Sequence, residues 1–140
     1  MVNNIVDGVV SILFKKYGIT VYKNKISQNF REPCFFVKVL THSEDRLIGK
    51  RYKADTAILI QYIDDENTPD TRRLYTVLQD LDTLTEVIEL KNYGQLRSYK
   101  RKGEVTDGNI QYQAYFSYFA YKYNETEKME ELQLKGGIKN

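Results

Sequence analysis

The chain has 140 residues, a formal net charge of +2, 41% hydrophobic and 29% charged residues, enough for one domain that buries a core without disulfides or metal. That balance excludes a globally basic nucleic-acid binder, so any such role must be local. The single cysteine, Cys34, excludes an internal disulfide and suits a reducing cytoplasm, and its apolar neighbours mark it as a small core residue. The N-terminus lacks a basic-then-apolar leader pattern, and no apolar run approaches the ~18 residues of a membrane span; a soluble protein away from membranes is expected. With 12 Tyr and 6 Phe but no Trp, a sheet-rich fold with something packed on it is expected, since Tyr tolerates half-burial.

In chain order, a first helix is predicted from Asn4, a capping residue with Asp7 three positions on, to Tyr17. Ile5, Val9, Ile12 and Leu13 form its apolar stripe, and Gly18 is placed for a left-handed cap. Gly8 inside it costs about 1 kcal/mol relative to Ala, so this helix depends on packing. An extended run, Ile19 to Tyr22, precedes a polar loop to Arg31. Pro33 then opens a strand from Cys34 to Leu40, with Phe35, Val37 and Val39 on one face and Phe36, Lys38 and Leu40 on the other. Thr41 to Lys53 is polar and reads as a turn or long loop. Asp55 to Ile63 alternates as a strand and pairs most simply with the preceding one.

Thr68, Pro69 and Asp70 read as cap and first turn of a second helix, whose stripe is Leu74, Val77, Leu78, Leu81 and Leu84. Glu86 to Leu90 either extends it or forms a short strand; the strand is the preferred reading. A long hairpin follows, with arms Tyr93 to Lys100 and Ile110 to Tyr123 and a turn that takes in Gly103 and Asp107-Gly108-Asn109. One face of the second arm is Ile110, Tyr112, Ala114, Phe116, Tyr118 and Ala120. The other carries Gln111, Gln113, Tyr115, Ser117, Phe119 and Tyr121, too aromatic to be plainly solvated, so it receives a helix or another subunit. The expected fold is α+β: a mostly antiparallel or mixed β-sheet with two amphipathic helices packed on it, in the order α-β-β-β-α-β-β-β, as one domain over 1–124 with a charged tail over 125–140.

No enzyme is expected. Histidine is the commonest general base and metal ligand, and the one histidine, His42, reads as a solvated loop residue. One Cys and one His exclude the usual zinc sites, and Asp64-Asp65-Glu66 lacks the alternation of a calcium loop and reads as a solvated turn. There is no phosphate loop and no nucleophile elbow; no cofactor is expected. The cluster Arg97, Lys100, Arg101 and Lys102, with Tyr99 between, reads as a basic hairpin tip that is either simply solvated or contacts phosphates without reading bases. A second basic set, Arg46, Lys50, Arg51 and Lys53, is diluted by Glu44, Asp45 and Asp55.

The segment Gln28-Asn29-Phe30-Arg31-Glu32-Pro33-Cys34-Phe35-Phe36-Val37, after an amphipathic helix and a short strand, resembles the tail-terminator proteins of phages and prophages of Gram-positive bacteria. Glu32-Pro33-Cys34-Phe35-Phe36 is its specific part; the strand Thr56 to Ile63, the Pro-started helix, the aromatic strand after Asp107-Gly108 and Lys128-Met129-Glu130-Glu131-Leu132 agree with it. The resemblance implies a structural protein of a phage virion or tail-like bacteriocin, assembled in the host cytoplasm. It would form a homo-hexameric ring on the tail tube that ends tube (and sheath) growth and offers a docking surface to head or neck. The implied partners are itself, the tube protein and possible sheath and neck proteins. Tyr115, Phe119, Tyr121, Tyr123, Phe30 and Phe36 become candidates for subunit or tube interfaces. Arg97, Lys100, Arg101 and Lys102 would face DNA in the lumen if the particle carries any. The competing expectations are a head-tail connector one ring higher and a small nucleic-acid-binding module with Tyr-rich stacking strands.

Overall fold

The computed structural model describes residues 1–23 and 30–121. The expected tail over 125–140 and the candidate Tyr123 lie outside the described residues, as does part of the polar loop after Lys23. The elements are α1 (Val2–Tyr17), β1 (Val21–Tyr22), β2 (Cys34–Arg46), β3 (Arg51–Ile63), α2 (Thr71–Leu84), β4 (Val87–Leu90), β5 (Gly94–Thr106) and β6 (Asn109–Tyr121). This is the expected order, α-β-β-β-α-β-β-β. The strands form one six-stranded sheet, β1-β2-β3-β6-β5-β4. It is mixed: β1 runs parallel to β2, whereas β5 runs antiparallel to both β4 and β6.

Two compact units divide the chain. One holds Met1–His42 and Asp55–Ser117; the other holds Ser43–Ala54 with Tyr118–Asn140.

In the first unit the apolar stripes meet as their periodicity predicts. Ile5, Val9 and Leu13 of α1, Leu74, Val77 and Leu81 of α2, and Ile110, Tyr112, Ala114 and Phe116 of β6 are all buried. Rings extend this core: Phe35 lies 5.1 Å from Tyr17 and 5.0 Å from Tyr62. Polar tips then fix the helices. The Tyr17 hydroxyl donates to Asp80 at 2.7 Å, tying α1 to α2, and the Tyr112 hydroxyl donates to Asp82, tying β6 to α2. Burial first, and then these carboxylates, push both phenol pKa values well above the ordinary tyrosine value.

α1 packs against β4 and also against β1, the two edges of the sheet. Asp7 pairs with Lys23, next to β1, at 3.3 Å, while on the next residue a Cβ at Gly8 would stand 2.7 Å from the Glu89 carbonyl oxygen of β4. Edges of a flat six-stranded sheet stand about 24 Å apart at about 4.8 Å per strand, and a helix is about 10–12 Å across. One turn of α1 therefore reaches both edges only because the sheet curls around it. Gly8 is thus a point of close approach, which gives its helix-weakening presence a physical reason.

Several local expectations are corrected. Asn4 does not cap α1; Met1 precedes the helix and no side chain caps it. Gly18 does end it, at φ 66°, with its N–H on the Phe14 carbonyl. The cap of α2 is Asp70, which accepts from the N–H groups of Arg72 and Arg73, and not Thr68. Thr41 to Lys53 is mostly strand: β2 runs on to Arg46 and β3 starts at Arg51. The four-residue connection, closed by the Leu47 N–H on the Arg51 carbonyl at 2.8 Å, permits only an antiparallel pair. The β5–β6 turn is just Asp107-Gly108, with Gly108 at φ 72° and Thr106 opposite Asn109. Gly103 lies within β5, where an added Cβ would meet Leu78 and Tyr112.

Gly8→Ala separates two opposed effects. Helix propensity alone favours Ala by about 1 kcal/mol, but the new methyl must displace the β4 backbone. A net loss of about 1–2 kcal/mol is expected from urea unfolding; unchanged or higher stability would show that α1 does not seat on Glu89.

Candidate functional site

The most elaborate polar arrangement of the described residues stands where β3 ends and α2 begins. Asp64, 4% exposed, accepts Arg73 Nε at 2.8 Å and Nη2 at 2.9 Å in a bidentate pair. It also accepts the Tyr62 hydroxyl at 3.1 Å and the Asp70 N–H at 3.3 Å. Its own N–H donates to the Gly108 carbonyl at 2.9 Å. Asp64 thus joins β3 and the α2 N-terminus through its carboxylate, and the β5–β6 turn through its backbone N–H. Burial pushes its pKa up, but the Arg73 guanidinium and the other donors outweigh that and hold it below the usual carboxylate range. Burial and the neighbouring Asp64 push the Tyr62 phenol up to about 12. The expectation of a solvated acidic turn is therefore wrong for Asp64.

Beside this network lies a cleft of about 360 Å³ lined by Phe30, Glu32, Ile63, Asp64, Asp65, Glu66, Pro69 and the Asp107–Asn109 turn. Its lining combines the apolar Phe30, Ile63 and Pro69 with the acidic Glu32, Asp64, Asp65, Glu66 and Asp107. The Glu32 carboxylate accepts the Glu66 N–H at 3.2 Å, and Asp65 accepts the Asn67 N–H at 2.9 Å. Among the described residues no cluster of His, Cys, Asp and Glu could hold a metal ion. Sequence reading missed the cleft because Glu32, Glu66 and Asp107 are far apart in the chain.

The basic cluster is not a hairpin tip. Arg97 through Lys102 lie along β5, and an irregularity between Ser98 and Lys100 shifts their register. Arg101 stands opposite the buried Ala114, on the core side, with Nη1 donating to Ser98 at 2.9 Å. Lys100 and Lys102 stand opposite Tyr115 and Gln113 on the other face. Arg97 pairs with Glu86 at 3.0 Å, in the open. The structure therefore splits the four cations between two faces.

The aromatic candidates separate too. Tyr115 belongs to the first unit; the Lys100 ammonium lies 5.6 Å from its ring centroid and the Tyr99 ring 6.1 Å away. Phe36 stacks on Tyr22 at 5.1 Å and takes the edge of Phe30 at 5.5 Å, so it is half-covered by its own chain. Phe119 and Tyr121 belong to the second unit and are exposed, with the Arg51 guanidinium 4.5 Å over the Phe119 ring. His42 lies in β2, not in a loop, and its Nδ1 is 2.8 Å from the Thr56 hydroxyl. Burial, and then Glu32, push the buried Cys34 thiol up to about 11, which keeps it unreactive near neutral pH.

The second unit also holds a feature that sequence reading passed over. The β2–β3 connection presents Leu47 and Ile48 outward, Ile48 at 88% exposure. Its signal, an apolar pair followed by Gly within a charged stretch, is faint.

Asp64 makes a pH-dependent contribution to stability. Its folded pKa is depressed, so this contribution is complete above the unfolded value of about 3.9 and is lost as pH falls through the folded value. Asp64→Asn should cost about 2–3 kcal/mol at pH 7, short of the cost of breaking a fully buried pair, because Arg73 is partly solvated. In urea titrations the gap from wild type should be full at pH 7 and shrink below about pH 4.

The sequence itself has known relatives at the level of a family. A family model described as phage tail terminator protein matches residues 4–128. No curated protein matches the chain.

Proposed function

Because this chain belongs to the phage tail terminator family, a family of structural tail proteins, we propose that it forms a hexameric ring that caps the tail tube. The match over residues 4–128 carries this reading. The ring ends growth of the tube, and of the sheath where there is one, and presents the surface on which a head or neck docks. Its partners are copies of itself, the tube protein and the neck protein, and the particle assembles in the host cytoplasm.

What the residues offer supports an assembly role. Polar side chains of the first unit join its elements: Asp64 is taken by Arg73, Tyr17 by Asp80 and Tyr112 by Asp82. Large apolar side chains are exposed on both units, among them Phe14, Tyr93 and Tyr99 in the first and Ile48, Phe119 and Tyr121 in the second. A surface of this kind is what a subunit of an obligate assembly would bury.

Purified protein added to polymerising tube protein tests the reading. Tubes should stop lengthening at substoichiometric amounts, and ring density should appear at tube ends by negative-stain electron microscopy. Tubes that grow unchecked with no ring at their ends would contradict it.

A further inference from the structure

Among the described residues of the second unit, one sheet face is covered, and no element of that unit lies over it. The Arg51 guanidinium of β3 sits 4.5 Å over the Phe119 ring of β6. Alternation therefore puts Tyr52, Ala54, Tyr118 and Ala120 together on the opposite face. Burial follows that division. Phe119 and Tyr121 are 56% and 73% exposed, whereas Tyr52, Tyr118 and Ala120 are half-buried and Ala54 is 1% exposed. A sheet face loses its solvent beneath a second layer. Yet α1 and α2 belong to the first unit. The described part of the second unit is strand and the β2–β3 connection, whose Ile48 is 88% exposed.

The rest of the second unit is the segment after β6, and its sequence has the make-up of the missing layer. Asn124 with Glu127 three positions on reads as a capping box. Glu125 and Glu127 then stand in the first turn, Lys135 in the last, and Gly136 just beyond it. Met129 and Leu132 share one helical face, Glu131 and Lys135 pair at i, i+4 on the other, and Leu134 stands outside the apolar stripe. So short a helix is marginal alone in water and forms where it can pack. Lys122 and Tyr123 leave room for the turn back.

We infer that residues 125–135 are a third helix of this chain, packed through Met129 and Leu132 on Tyr52, Ala54, Tyr118 and Ala120. The occupant is the chain's own tail because it follows directly from the strand it covers. Closure is then intramolecular, at an effective concentration of about millimolar. The family match ends at residue 128, so Met129 and Leu132 are features of this chain beyond it. With one face taken, Phe119 and Tyr121 on the other are what the second unit shows to other molecules.

The full chain tests this in two ways. Ala120→Cys is combined with Met129→Cys and, separately, with Leu132→Cys; the Cys34 thiol is buried and does not compete. Oxidation should link at least one pair within a single chain, at monomer mass on a non-reducing gel. Hydrogen exchange should show amides 128–135 protected at least about tenfold over a free peptide of residues 122–140. The double variant Met129→Asp, Leu132→Asp should lose that protection, and Glu130→Gln on the polar side should keep it. No link, or links only between two chains, would overturn the inference. So would a tail that exchanges as fast as the free peptide, or protection that survives the two aspartates. None of these results bears on tube capping, so the ring reading stands or falls apart from them.

Discussion

The first unit depends on the seating of α1 against both edges of the sheet. A six-stranded open sheet has two rows of unpaired backbone groups, and each row invites another chain. Here the short strands β1 and β4 form those edges, and α1 reaches both. Curling brings the edges close enough for a single helix, and Gly8 lets it press against the β4 backbone without a side chain in the way. The same curl gathers Ile5, Val9 and Leu13 into the space enclosed by the strands, where all three are buried. At about 1.5–3 kcal/mol for each such side chain, this burial offsets the glycine's cost to the helix.

Polar groups then decide how α2 sits. Its N-terminus is held by Asp70 as cap and by the Asp64–Arg73 pair. Further along, Asp80 and Asp82 receive the hydroxyls of Tyr17 and Tyr112. These contacts account for part of the tyrosine surplus. A buried tyrosine supplies apolar area and, through its hydroxyl, a directional tie that phenylalanine lacks. Other tyrosines, such as Tyr99 and Tyr121, stand exposed.

The order of elements was legible because its signals are periodic: the leucine stripe from Leu74 to Leu81, the alternation from Ile110 to Phe116, and Gly18 after the last turn of α1. The far ends of β2 and β3 were not. Residues from Thr41 to Arg46 are polar on both faces, so no alternation marks them as strand, and pairing alone extends them. The start of α2 was legible to within two residues: Thr68 fits the cap rule, but Asp70 stands directly before Thr71 and its carboxylate reaches two N–H groups. Asp64 looked solvated because its partner Arg73 sits nine residues on, across an element boundary that no local rule spans. The basic cluster was visible as composition but not as geometry. A bulge in β5 and strand alternation turn Arg101 inward, while Lys100 and Lys102 face away. An exposed apolar pair in a charged stretch, Leu47–Ile48, leaves the weakest trace, since no periodicity marks it.

In this account the chain is a structural piece whose chemistry is shape, charge and apolar contact. The most direct measurement is tail length in the producing strain after deletion of its gene, counted by negative-stain electron microscopy. The account predicts overlong tubes of widely varying length, returned to one length by the wild-type gene supplied in trans. Tails of normal, uniform length in the deletion strain would contradict it.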